Sequence, residues 1–489
     1  MKHILWGFFK IFLAIIVFTG AYNWNQTVST SLLPSSSEYA VPDESVRFYA
    51  DYTYLDENGI RQTEQHIWDR VFALIDGASH YMLFDFFLFN DFQSNTLETT
   101  RSLSDELTDH IVTSRTLSKH MATMFITDPI NTVYGGVVSS QQVALRKSGV
   151  IIMETNLSAL RDSNTLWSSV WIPYFSWTGN SATGGIFPHP FQANGDKVAL
   201  RSWAELLNFK ANHRKLLVVD ESIPTRGTEG GRKMITLVTS SNPHDASSAH
   251  GNIALEVRDS IWQNVIRSEL SIAKESGGGD MTYNPQKVFD ETGPIKVQLL
   301  SETQILETVL QRLRDAKQGD TFNLAMFYLS ERDIINALID ASNRGAFIRV
   351  ILDPNKDAFG HEKNGIPNRP VAKELQEKSN GGIAIRWCDT HGEQCHAKFF
   401  AGKSESEVFL MVGSANFTRR NIDGFNLETD IIASSDKPFT AWKDGEKYFE
   451  RLWSNTNGTF TIDYAAYADD TIWKSLVYRF MEITGLSTF

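Results

Sequence analysis

Residues 212–220 read NHRKLLVVD. His213 and Lys215 stand two apart, four apolar residues follow, and Asp220 closes the stretch. In an extended chain, residues two apart share a face, so the imidazole and the ammonium would project side by side. Leu216, Leu217, Val218 and Val219 suit a strand buried on both faces. Polar groups emerging from such a strand are costly unless something binds them. A phosphate would serve: lysine neutralises its charge, and histidine attacks phosphorus or moves a proton.

One HxK triplet is common by chance, but this chain holds a second, in residues 395–400, CHAKFF, with His396 and Lys398. Each copy leads to a small-residue turn ending in Asn. The first turn is Thr239-Ser240-Ser241-Asn242 and the second Gly413-Ser414-Ala415-Asn416. Each turn leads to an apolar segment with a carboxylate, Glu256 in IALEV and Glu428 in NLETD.

This doubled series resembles the phospholipase D superfamily, marked by two HxKxxxxD motifs, each with a GSxN-type turn. The first motif matches fully. The second has Lys403 where the pattern wants Asp. The resemblance spans roughly residues 65 to 455 and is specific for the superfamily, less so for substrate; a cardiolipin synthase-like bacterial branch fits best. It implies a duplicated α/β fold, two similar domains with mixed sheets about a pseudo-twofold axis. It also implies a catalytic set of His213, Lys215, Asp220, His396 and Lys398. Ser240, Asn242, Ser414 and Asn416 would hold the substrate phosphate, and Glu256 and Glu428 would orient the imidazoles. By similarity His213 is the nucleophile and His396 the general acid/base. No cofactor is implied, and no zinc-type spacing of Cys and His suggests a metal.

The rest of the chain agrees with duplication. Helical spacing predicts a helix over 65–79, followed by an aromatic strand over 81–89 that contains Asp85, placed near the active-site end. A helix over 103–117 and a strand over 121–128 follow, ending Asp128-Pro129 with Gly135 seven residues after the Asp. The second half repeats this: strand 321–329, helix 331–343, strand 346–353, Asp353-Pro354, and Gly360 at the same distance. The expected domains are 47–275 and 286–489, joined by a Gly-rich link over 276–285. Between the Asp-Pro pair and its histidine the first half is longer, by an insertion over 156–202. That insertion holds Trp167, Trp171, Tyr174, Phe175 and Trp177. It reads either as a lid or lipid-docking segment, or as the core of a larger first domain. A last apolar helix over 470–483 is expected to pack on the domain.

The N-terminus reads as a membrane signal over 1–24, with Lys2 and Lys10 the only cations before Arg47. It is either an anchor or a cleaved peptide, with residues 25–46 as a polar linker and the catalytic domains extracytoplasmic. The two cysteines, Cys388 and Cys395, would be disulfide-bonded if exported and free thiols otherwise. A net charge of −12 argues against a broad electrostatic grip on nucleic acid. The expected partners are a phospholipid substrate and a membrane, with no nucleic acid. The expected function is a membrane-associated phosphatidyltransferase or phospholipase D, with an exported nuclease or phosphodiesterase as the alternative. A non-catalytic scaffold is disfavoured by the intact His/Lys pairs.

Overall fold

The computed structural model describes residues 2–25, 37–93, 100–222, 232–278, 292–358, 361–469, 471–487 and 489. Two mixed sheets dominate it. The first runs Val46–Ala50, Ile253–Arg258, Arg232–Thr239, Lys215–Ser222, Tyr81–Phe86, Ala122–Thr127, Ile151–Glu154. The second repeats that order as Ile295–Ser301, Thr429–Ser435, Val408–Gly413, Lys398–Lys403, Thr321–Met326, Phe347–Leu352, Ile383–Cys388. Short strands Glu38–Val41 and Thr461–Asp463 extend its two edges. In each sheet the parallel strands are the ones that helices separate in sequence, because a parallel pair needs a crossover. Leu103–Leu117 and Ser140–Lys147 supply it in the first half, Arg332–Asn343 and Asn368–Lys378 in the second.

Arg332–Asn343 shows why these segments become helices. Ile334, Ile335, Leu338, Ile339 and Ala341 fall on one buried face. The Glu331 carboxylate accepts from the Asp333 N–H at the start. Arg344 and then Gly345, at φ 97°, end it.

Alternation along the strands sorts the core into layers. Leu216 and Val218 face inward and meet Leu299, Ala401, Leu410, Val412 and Ile431 of the second sheet. Leu217 and Val219 face outward, against the helices of the first half. Phe400, Phe409 and Met411 do the same in the second half. The result is a helix–sheet–sheet–helix stack, with the two sheets face to face. Each fully buried aliphatic or aromatic side chain contributes about 1.5–3 kcal/mol to holding it.

Other segments differ from expectation or fill it in. Residues 38–41, expected as linker, form a strand that pairs antiparallel with Ile295–Ser301, so the chain touches the second sheet before entering the first. The expected link over 276–285 lies outside the described residues from 279 onward. Lys2–Trp24 is one helix, lying along Thr165–Tyr174 of the insertion, where the Phe12 and Tyr174 rings stack at 4.6 Å. Among the described residues no helix is long and apolar enough to cross a membrane. The insertion is split between its two readings: Trp171 is buried, but Trp177 is 75 % exposed and Leu166, Ile172 and Phe175 also face solvent. The last helix, Ile472–Thr484, buries only Tyr478 and Glu482. Ile472, Trp473, Leu476, Phe480 and Ile483 are bare, because the helix lies at the molecule's edge with one flank on the second domain. Cys388 and Cys395 form a disulfide.

Candidate active site

The two histidines sit in matching loops, each stitched to the opposite half. The His213 N–H donates to the Leu427 carbonyl at 2.9 Å, and the Leu427 N–H returns to Ala211 at 3.1 Å. The His396 N–H donates to the Gly251 carbonyl at 2.8 Å, and the Gly251 N–H returns to Gln394 at 3.0 Å. The residue before each histidine is pinned by the Asp-Pro turn: Asn212 N–H on Asp128 at 2.8 Å, Cys395 N–H on Asp353 at 2.9 Å. Asp85 takes both short contacts from the Asn212 amide, at 2.9 and 2.8 Å, at the active-site end of its strand.

Each lysine begins the strand that follows and curls back on its own histidine. Lys215 Nζ donates to the His213 carbonyl at 2.5 Å, and Lys398 Nζ to the His396 carbonyl at 2.8 Å. A phenylalanine backs each pair. Phe87 lies 4.8 Å from the His213 ring and 5.2 Å from Lys215 Nζ. Phe327 lies 5.0 Å from the His396 ring and 5.4 Å from Lys398 Nζ. Sequence reading missed both, since each lies inside an aromatic run that looks like plain core.

Both lysines are buried, and His396 nearly so. Burial holds Lys215 down at about 7, against the pull of Glu428, Asp85, Asp128 and Asp430. Burial and then Lys215 push Lys398 well below the usual lysine range. Burial lowers both imidazoles. Lys215 and Lys398 add to this for His213, and Lys398, His250, Lys215 and His213 for His396. The four groups thus lie close enough to act on one another's charge. They crowd potential cations where water is scarce, a charge pattern that an anion relieves.

The remaining candidates divide. Glu428 lies 2.7 Å from His213 Nδ1, as expected for an orienting carboxylate, and burial raises it to about 7. Glu256 does not do this for His396. It lies beyond the pocket, paired with Arg70 at 2.7 Å, Arg258 at 3.3 Å and the Tyr49 hydroxyl at 3.1 Å. The atom facing His396 Nδ1 is Asn252 Oδ1, at 3.1 Å. The serines are also not turned to a phosphate. The Ser240 hydroxyl donates to Asn252 at 3.0 Å, and the Ser414 hydroxyl to Glu428. Asn242 accepts from the Leu88 N–H at 3.1 Å, while Asn416 Oδ1 has no hydrogen bond among the described residues. Asp220 lies five residues along the strand from Lys215, about 17 Å away. There its carboxylate accepts the N–H groups of Ser79, His80 and Tyr81 at 3.1, 2.9 and 2.8 Å. It belongs to the fold, not to the pocket.

Two copies of one α/β unit, facing each other with a His and a Lys from each brought together, define a phospholipase D-like fold. Residues 309–453, which hold the second motif, match a family described as "Cardiolipin synthase, PLD-like domain". No curated protein sequence matches the chain. Among solved structures, phosphatidylserine synthase from Haemophilus influenzae Rd KW20 aligns over 93 % of this chain and 96 % of its own, with a TM-score of 0.52 at 10 % identity. That likeness is one of fold. The phospholipase D family member Nuc from Salmonella typhimurium aligns over 35 % of this chain and 99 % of its own, at 19 % identity and a TM-score of 0.26.

Proposed function

We propose that the protein is a phosphatidyltransferase or phospholipase D that acts on phospholipid phosphodiesters through a phosphohistidine, most like a cardiolipin synthase. The observation that carries this is the pair of matching loops that the halves lend each other, His213 bonded to Leu427 and His396 to Gly251, each with a buried lysine folded back on its own histidine. A phosphodiester anion entering between them would restore the charge on both lysines. Lys215 and Lys398 would then hold the equatorial oxygens as charge builds on them. One imidazole attacks phosphorus while the other protonates the departing alcohol. The second imidazole next takes the proton of the incoming alcohol, which displaces the first from phosphorus. With water as acceptor the product is a phosphatidic acid. With the hydroxyl of a second phosphatidylglycerol it is cardiolipin, and glycerol leaves.

A lipid is favoured over nucleic acid by the net charge of −12 and by the bare apolar residues of Lys2–Trp24, the insertion and Ile472–Thr484. The disulfide fits catalytic domains lying outside the cytoplasm. The test is product analysis by mass spectrometry. Purified protein on phosphatidylglycerol vesicles should yield cardiolipin or phosphatidic acid, and His213→Ala should yield neither. Absence of product from phosphatidylglycerol and every other phospholipid offered, alongside cleavage of single-stranded DNA, would transfer the site to a nuclease.

A further inference from the structure

The pseudo-twofold relation fixes which residues correspond behind the two histidines. The Ser240 N–H donates to the Ile253 carbonyl and the Ser414 N–H to the Thr429 carbonyl. The Ile253 and Thr429 N–H groups donate back to the two serine hydroxyls, each at 3.0 Å. Asn252 is therefore the counterpart of Glu428, one residue before each of these. The two imidazoles are oriented alike but backed by different charge. His213 Nδ1 meets a carboxylate at 2.7 Å, and His396 Nδ1 meets a neutral amide oxygen at 3.1 Å. The amide cannot be turned round, because its Nδ2 donates to the His250 carbonyl at 3.1 Å while its oxygen takes the Ser240 hydroxyl. The His396 imidazole thus carries its proton on Nδ1 and leaves Nε2 free of Asn252, while the Glu428 carboxylate stands 2.7 Å from the matching atom of His213.

We propose that Asn252, the counterpart of Glu428, is a positioning residue for this reaction: it orients His396 for proton transfer without the compensating charge that Glu428 sets behind His213. The proposal rests on the phosphohistidine reading above. When Nε2 of His213 bonds phosphorus and the bond to the leaving oxygen breaks, the ring becomes cationic. A carboxylate against Nδ1–H compensates that charge where little water can. His396 has the opposite task. It must take up a second proton from solvent, at Nε2, as the diester anion enters, give that proton to the leaving oxygen, and then recover one from the incoming hydroxyl as that oxygen displaces His213 from phosphorus. A carboxylate behind it would hold the proton back. An amide orients the ring and leaves the imidazolium uncompensated, facing Lys398, Lys215, His250 and His213.

The test uses the full chain with bis(p-nitrophenyl) phosphate, a diester whose leaving group departs without a proton, so it does not depend on lipid recognition. Wild type quenched in alkaline denaturant should carry the phosphoryl group on His213, located by peptide mass spectrometry. His396→Ala should still form that adduct, and His213→Ala should form none. Asn252→Asp should move the basic limb of the kcat/KM profile for phosphatidylglycerol to higher pH and leave the acid limb in place. Glu428→Gln should slow adduct formation by about 100-fold. An adduct on His396, or an unmoved basic limb in a natively folded Asn252→Asp, overturns the division of roles while leaving the phosphohistidine reading intact. No adduct on either histidine with any diester sinks both.

Discussion

Asp220 and Lys403 occupy the same place in the two halves and do opposite things. Asp220 is fully buried and gathers three backbone N–H groups and the Ser79 hydroxyl from the turn that opens the neighbouring strand. Lys403 is exposed at its strand end, across from Thr321. The second half closes its own turn, with the Asp320 carboxylate accepting from the Lys317 N–H at 2.8 Å. Loss of the second-motif Asp is thus absorbed locally. Asp220→Ala should strand buried donors and cost about 3 kcal/mol, while the folded fraction keeps its rate of diester cleavage. Lys403→Ala should change neither. Thermal melts paired with activity per folded molecule check this, and a selective loss of turnover in Asp220→Ala would return Asp220 to the catalytic set.

The titrating groups of this site should leave the protein least stable near pH 7–8. Burial raises Glu428 to about 7 and Asp430 to about 8, so each contributes stability at low pH that is lost as pH rises through those values. Lys215 has the opposite sign. With a folded value of about 7, it binds its proton less tightly than the unfolded chain does, so stability recovers as pH climbs from there toward the ordinary lysine range. A phosphate-like anion should fill the dip by compensating the lysines. Melting temperatures from pH 5 to 10, with and without tungstate, check the curve. Monotonic behaviour unaffected by tungstate would remove the anion site.

What the sequence made legible follows from repetition. The HxK triplets and the Asp-Pro turns each occur twice, and each pair lands on matching positions, His213 with His396 and Asp128 with Asp353. The Glu256 assignment failed because a carboxylate within an apolar strand looks the same whichever face it takes. Backbone pairing, not residue type, selects Asn252, and that pairing joins Ser240 to Ile253 across a turn. Phe87 and Phe327 were hidden because an aromatic that backs a catalytic ring has the same sequence context as one in the core. The Glu38–Val41 strand was hidden because its partner, Ile295–Ser301, lies more than half the chain away.

The disulfide closes a short loop that ends on Cys395, directly before His396. The chain-entropy account gives a bridge over so few residues about 2–3 kcal/mol. Cys388→Ser with Cys395→Ser should therefore lower the melting temperature. The catalytic constants should fall much less, since Asp353 continues to hold the Cys395 N–H at position 395. A thiol titration of the denatured wild type should find no free thiol before reduction. Collapse of turnover in the double variant at temperatures where it stays folded would show that the bridge, not Asp353, sets His396.

The bare helix Ile472–Thr484 offers the sharpest test of lipid contact. Ile472, Trp473, Leu476, Phe480 and Ile483 are each more than half exposed, an apolar stripe along a single short helix. Its C-terminal end abuts the start of Thr165–Tyr174, where a Cβ on Gly485 would collide with the Ser163 carbonyl. Thr165–Tyr174 in turn carries the helix Lys2–Trp24. Three segments far apart in sequence thus join into one apolar edge. From Ser163 to Lys210 that edge leads back to His213, with Lys210 bonded to Asp162 and to the Leu160 carbonyl. Burying each of the five side chains in a bilayer would contribute about 1.5–3 kcal/mol. Leu476→Asp with Phe480→Asp should therefore abolish co-sedimentation with phosphatidylglycerol vesicles and raise KM for vesicular lipid. Cleavage of soluble bis(p-nitrophenyl) phosphate should stay at the wild-type rate, because neither residue approaches the pocket. Undiminished vesicle binding in a folded double variant would assign the stripe to some other partner and leave the lipid reading to stand on the pocket alone.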